Sequence, residues 1–231
     1  MTLTEKILAR SSGLESVEPG ETVSAAIDLA VTGSDSDRVI RLFREFGAVR
    51  PWDAERIAII MDAAGDPSRH DSIRAFVHEA GIHHFYDFGR GGVCHQVVAE
   101  QGWVLPGMVV AGTDRHAVCH GAWGAFAFRA TETDMAGAWS GGRLALKVPR
   151  TIRVEVSGVL RPWISARDVV AHVAGAAGAG FVSGRAIEYD GPAIRCMPVP
   201  SRAVLANLTA ELGATVVFGP VDQQLLAYVA R

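Results

Sequence analysis

Met108-Val109-Val110-Ala111-Gly112-Thr113-Asp114-Arg115-His116 is an apolar run followed almost at once by a carboxylate, a guanidinium and an imidazole in consecutive positions. An uninterrupted apolar run is what a strand buried on both faces of a parallel sheet looks like. Charged groups at the carboxyl end of such a strand line the ligand crevice of an open α/β sheet. Behind this stretch come the glycine-rich Gly121-Ala122-Trp123-Gly124-Ala125-Phe126 and then Thr133-Asp134-Met135-Ala136. The reading of this region commits the chain to an α/β fold whose chemistry lies beyond its strand ends.

Working outward, Ile57 to Met61 is a second continuous apolar run, and Phe85-Tyr86-Asp87-Phe88 supplies a further strand before a helix-like stretch beginning near His95. Val23, Ala25, Ile27, Leu29 and Val31 alternate, which predicts a strand. Helical spacing recurs at Val39, Ile40, Phe43 and Phe46, and again at Ile73, Phe76, Val77 and Ala80, each set stopped by a glycine. At the start, Thr2-x-x-Glu5 has the form of a capping box opening a helix through Arg10. Strand and helix alternate, so a mostly parallel sheet covered by helices is expected.

After Lys147-Val148-Pro149 the texture changes. Ile152, Val154 and Val156 alternate, and Ser165-x-x-Asp168 opens an alanine-rich helix. A strand at Ala186 to Tyr189, a helix from Ser201 to Leu212, a strand at Ala214 to Phe218 and a short terminal helix follow. The expected organisation is a first α/β domain over 1–149 and a smaller α/β domain over 150–231.

The charge balance narrows the partners. Twenty-two basic and 25 acidic residues leave a formal net charge of −3 without a basic block, which points to small molecules and away from nucleic acid or an anionic membrane. The first residues lack the basic-then-apolar order of a signal peptide, and no apolar run is long enough to span a bilayer, so a cytoplasmic location is expected. Cys94, Cys119 and Cys196 are an odd number with no Cys-x-x-Cys pair, which argues against a disulfide framework or a ribbon-type zinc site.

Three constellations can carry chemistry. Gly89-Arg90-Gly91-Gly92-Val93-Cys94-His95 is a glycine turn delivering a histidine; by itself it reads first as a tight strand-to-helix connection and second as an anion-holding turn. Asp114-Arg115-His116, with Cys119 and His120 close behind, offers a carboxylate able to orient an imidazole from its own loop or His95 from the neighbouring one. The alternative is a surface ion pair between Asp114 and Arg115. Glu188, beside the apolar Ile187, is a proton-transfer group or a solvent-facing partner of Arg185. Cys119 beside an imidazole has the elements of a nucleophile, whereas the His116-x-x-Cys119-His120 spacing matches no common zinc pattern, and no metal is expected.

Thr4-Glu5-Lys6-Ile7-Leu8-Ala9, Val17-Glu18-Pro19-Gly20, Cys94-His95-Gln96, Val104-Leu105-Pro106-Gly107-Met108, Lys147-Val148-Pro149, Ala186-Ile187-Glu188-Tyr189 and Asn207 together resemble the aconitase superfamily, specifically the 3-isopropylmalate dehydratase large subunit. The resemblance implies α/β/α layers and a hydro-lyase that isomerises hydroxy acids with a [4Fe-4S] cluster as Lewis acid. It further implies that His95 pairs with Asp114 at the leaving hydroxyl, that His116 is an active-site histidine, and that Asp62 and Glu188 belong to the site.

The departures carry equal weight. The family's Asp-His becomes Asp62-Ala63, its His-Asp becomes Gly33-Ser34, and its Asp-Ser-His becomes Asp114-Arg115-His116. Its cluster cysteines lie in segments beyond Arg231, so this chain alone is expected to bind no cofactor, and a [4Fe-4S] cluster enters only if a partner supplies the cysteines. The leading expectation is an aconitase-like lyase or isomerase, biosynthetic, that moves protons on a small carboxylic acid without a cluster of its own. In it His95, Asp114, His116, Glu188 and Cys119 are catalytic candidates, and Arg115, Asp62 and Arg90 bind substrate. The alternatives are one part of a split dehydratase and a non-catalytic binding module, and a homo-oligomer is one way to cover exposed apolar surface.

Overall fold

The apolar runs become strands of three separate sheets. The computed structural model of the protein describes residues 1–61, 67–178 and 180–230. Its first half runs α1 (Leu3–Ser12), β1 (Thr22–Ala26), β2 (Leu29–Thr32), α2 (Ser36–Glu45), β3 (Ile57–Ile60), α3 (Pro67–Ala80), β4 (His84–Tyr86), α4 (Cys94–Glu100) and β5 (Val109–Gly112). A 3-10 run (Arg115–Trp123) then leads to β6 (Phe126–Arg129), α5 (Glu132–Gly141) and β7 (Arg143–Lys147). The remainder holds β8 (Thr151–Glu155), α6 (Ala166–Ala177), β9 (Ala186–Asp190), α7 (Pro192–Arg195), α8 (Val199–Glu211), β10 (Val216–Phe218) and α9 (Gln223–Val229).

The main sheet is parallel throughout, in the order β4-β3-β2-β5-β6. The chain winds outward from β2 to β4, then returns and continues through β5 to β6. The topological switch therefore lies between β2 and β5, where a doubly wound sheet opens its crevice. Each side of the sheet has its own apolar layer. Ala30, Ile57, Ile59, Val109 and Ala111 pack against Phe43, Phe76 and Trp139 of α2, α3 and α5. Leu29, Val31, Ala58, Ile60 and Val110 pack against Val97 and Val98 of α4, Trp123 and Leu225. Burial on both faces explains why these strands read as unbroken apolar runs.

A second sheet, β10-β9-β8, is also parallel and lies wholly after residue 150. Its Ala186, Val216 and Phe218 belong to the same apolar cluster as Phe126 and Phe128 of β6, so the core is continuous across both sheets. Among the described residues no helix is long and apolar enough to cross a membrane.

The single alternating strand expected over Val23 to Val31 is two strands in two sheets. Thr22–Ala26 pairs antiparallel with β7, whereas Leu29–Thr32 enters the main sheet. Asp28 marks the exchange: its amide donates to the Val109 carbonyl at 2.9 Å and its carboxylate accepts the Val109 amide at 2.8 Å. Burial alternates only along Thr22–Ala26, at Val23 and Ala25, whereas all four residues of Leu29–Thr32 are buried. Phe46, expected on the buried face of α2, is 52% exposed, since the helix ends at Glu45.

Candidate functional site

Two connections beyond the carboxyl ends of the main sheet's strands converge, one from the edge strand β4 and one from β5 at the switch point. The loop after β4 ends at α4, whose first turn carries His95, and the loop after β5 carries Asp114 into the 3-10 run. Gly112 permits the second turn, because a Cβ there would sit 2.5 Å from that of Ala117. Asp114 divides its oxygens between two tasks. Oδ1 caps the 3-10 run by accepting the His116 amide at 3.1 Å, and Oδ2 lies 2.8 Å from His95 Nδ1. Both side chains of this pair are about one fifth exposed, at 23% and 22%.

His116 closes the group. Its ring centroid is 5.0 Å from that of His95, with the planes inclined at 51°. Its Nδ1 lies 2.7 Å from Asn207 Oδ1 on α8. With the amide oxygen as acceptor, Nδ1 carries the hydrogen and Nε2 is left with a lone pair. Burial works against the charge of Asp114. The hydrogen bonds from His95 and from the His116 amide, with the positive charge the neighbouring rings carry when protonated, outweigh it and hold the carboxyl below the usual aspartate range.

Two clefts adjoin these residues. One of about 410 Å³ is lined by Gly33, Asp35, Thr113, Asp114, Arg115 and His116. Its wall is fixed by Asp35, which accepts from the Thr113 hydroxyl at 2.9 Å and the Gly33 amide at 3.1 Å. The other, about 360 Å³, is lined by His95, Cys119, Trp123, Asn207 and Tyr228 among others. A larger cavity, about 670 Å³, lies elsewhere, at the seam between the two parallel sheets.

Of the residues singled out in the sequence, His95, Asp114, Arg115 and His116 are therefore brought together, and Cys119 lines the same region. Arg90 is exposed in its turn and lines neither cleft. Glu188 is engaged elsewhere: its Oε1 accepts the Leu3 amide at 2.7 Å, at the N-terminus of α1. Asp62 lies outside the described residues. Asn207 was quoted for the resemblance without a role. The signal for one was a lone amide among the apolar positions of the α8 segment.

The thiols are poorly disposed for ligation. Burial, and then the charge of Asp114, push Cys119 up to about 12, so it stays a thiol at neutral pH. Cys94 lies buried with Sγ 4.0 Å from the Thr32 carbonyl, and Cys196 is exposed at the end of α7. Among the described residues no group of three or more His, Cys, Asp or Glu is arranged to hold a metal ion. This donor set does not fit an iron-sulfur cluster.

Residues 11–231 match the model of the Aconitase family (aconitate hydratase). The chain is 42% identical, over its whole length, to 57% of a probable 3-isopropylmalate dehydratase large subunit of Methanothermobacter thermautotrophicus. It is 38% identical, over 99% of its length, to 56% of that organism's probable methanogen homoaconitase large subunit. With the 3-isopropylmalate dehydratase large subunit of Moorella thermoacetica it shares 36% identity, over 99% of this chain and 56% of the relative. The chain thus spans little more than half the length of these curated relatives. A parallel sheet with a histidine-aspartate pair beyond its strand ends, and a family match over nearly every residue, place this chain in the aconitase family.

Proposed function

We propose that the chain supplies the acid-base half of a hydro-lyase site that adds water to, or removes it from, a small hydroxy acid in a biosynthetic reaction. The observation that supports this reading is the 2.8 Å contact of His95 with Asp114 beside the ring of His116. Dehydration breaks a carbon–oxygen bond and a neighbouring carbon–hydrogen bond, so one group must give a proton to the departing hydroxyl and another must take one from carbon. His95, its Nδ1 held by a carboxylate, is suited to donate from Nε2. His116, its Nδ1 hydrogen directed at Asn207, is suited to accept at Nε2. Arg115 reaches the 410 Å³ cleft with the planar fork that binds a carboxylate bidentately. In this reading Glu188 acts through the packing of α1, and Cys119 contributes volume to the wall.

Expulsion of a hydroxyl from an unactivated carbon asks for an electrophile worth several kcal/mol, on the order of what a metal Lewis acid supplies. Since the cysteines described above do not fit a cluster, we assign no step to one within these residues. The names of the relatives, which are large subunits, favour a second polypeptide in the working assembly. We further propose that residues 1–149 and 150–231 are two domains meeting at the shared core, and that the protein works in the cytoplasm.

The test is exchange of carbon-bound hydrogen for solvent deuterium in 3-isopropylmalate, followed by NMR with anaerobic protein, alone and together with the polypeptides that co-purify with it. His116→Ala and His95→Ala are expected to slow exchange by about 100-fold or more, in line with lost general acid-base catalysis, with circular dichroism unchanged. Exchange at the wild-type rate in both variants overturns the assignment. Absence of exchange in the wild-type protein both alone and with its co-purifying polypeptides overturns it in favour of a binding module.

A further inference from the structure

The 670 Å³ cavity lies where the amino ends of the second sheet meet β6 and β7. Thr151 of β8 registers with Ala186 of β9, and Ala186 with Val216 of β10. Arg150, Arg185 and Thr215 are the residues just before these partners, and they stand in a row across three adjacent parallel strands. The ladder continues through them: the Ala186 amide donates to the Arg150 carbonyl at 2.9 Å, and the Thr215 amide donates to the Arg185 carbonyl at 2.9 Å. Both arginines line the cavity, and Lys147 lines it from β7.

Like charges opposite one another on neighbouring strands repel, and opposite charges there attract. Here no aspartate or glutamate lines the cavity among the described residues, and none of the three cations has an ion-pair partner there. The floor is of another kind, made by Phe126 and Phe128 of β6, which are 2% and 7% exposed. Three cations around an aromatic floor, in a space of the size that holds small organic ligands, match a molecule with an anionic head and an apolar body.

We propose that this seam is a second ligand site, separate from the histidine group, that binds a small amphipathic anion. Lys147, Arg150 and Arg185 hold the anionic head, and Phe126 and Phe128 take the apolar body. Two arginines suit an oxyanion with a charge of two, whose charge offsets their mutual repulsion. The site asks nothing of the hydro-lyase reading and stands or falls apart from it.

Phenylphosphonate, inorganic phosphate and benzyl alcohol separate the contributions of whole ligand, head and body, with binding followed by calorimetry and thermal melting of the purified protein at low salt. Saturable binding of phenylphosphonate is expected, tighter than phosphate by about tenfold, with benzyl alcohol undetectable. Arg150→Gln and Arg185→Gln are each expected to weaken phenylphosphonate at least tenfold. In the absence of ligand they are expected to melt at or above the wild-type temperature, because the repulsion is relieved. A wild-type protein that fails to bind phenylphosphonate, binding unchanged in both variants, or variants that melt lower without ligand would each overturn the site. The last result would mark the arginines as structural.

Discussion

His120 shows most plainly how surroundings set the behaviour of a residue. It follows Cys119 in the 3-10 run, is 1% exposed, and its Nδ1 has no hydrogen-bond partner among the described residues. Burial, with a smaller push from the His95 charge and against the pull of Asp114, brings it from 6.5 down to about 3. A folded value below the unfolded one means that the unfolded chain binds the extra proton between these limits. The stabilisation is complete above about 6.5 and is lost as the pH falls toward 3. Urea unfolding is therefore expected to show stability rising with pH across that window, with this proton adding up to about 1.4 kcal/mol per pH unit. His120→Leu should flatten that rise, and an unchanged slope would locate the acid sensitivity elsewhere. At this scale the sequence was informative where chemistry is local. His95 and Asp114 follow β4 and β5, strands consecutive in the chain, and lie 19 positions apart, so their meeting could be anticipated although β3 and β2 stand between those strands in the sheet. The engagement of Glu188 with the Leu3 amide spans 185 positions and leaves no local trace.

Among the elements, the segment from Gly121 to Lys147 was the least legible. The glycine-rich Gly121-Ala122-Trp123 gave no sign of regular structure, yet it is the last part of a 3-10 run pressed against the second sheet, with Gly124 as its left-handed cap. A Cβ at Gly121 would run into the Val217 carbonyl oxygen, so the small residue records a close approach of two backbones. Gly121→Ala is expected to cost about 3 kcal/mol or more, at the upper end of overpacking changes, measured by urea denaturation against wild type. A loss below about 0.5 kcal/mol would mean that the run can slide on β10 without penalty. Helix α5 was missed for a related reason: its ten residues include two glycines and a serine, poor helix formers. It is held by the Thr131 and Asp134 capping box and by burial of Met135 and Trp139. By contrast β3 and β5 were plain, because burial on both faces admits nothing but apolar side chains.

For the whole molecule, the closing part of the chain is fastened by a buried cation. Arg202 on α8 is fully buried and forms a two-pronged pair with Asp222, at 3.0 and 2.8 Å, while also donating to the carbonyls of Arg195, Met197 and Pro220. Burial opposes the charge of Asp222, but its bonds to Arg202 and the Leu225 amide hold it below the usual range. Asp222→Ala is expected to destabilise the protein by about 3–5 kcal/mol, since it leaves an unpaired charge inside. Denaturant midpoints would show this, and a change within about 0.5 kcal/mol would show that the arginine finds other acceptors. Such a fastening was invisible in sequence, where Arg202 reads as one more solvated charge on a helix.

The bond from His116 to Asn207 joins the end of β5 to α8, across 91 positions of chain. Which nitrogen of that imidazole offers its lone pair is thus decided by how one layer of the protein seats on the other. Parting α8 from the loop would disengage the ring and let its hydrogen migrate, much as a clutch frees a shaft. In the proposed reaction, proton transfer and the seating of the two layers are then a single event seen at two distances.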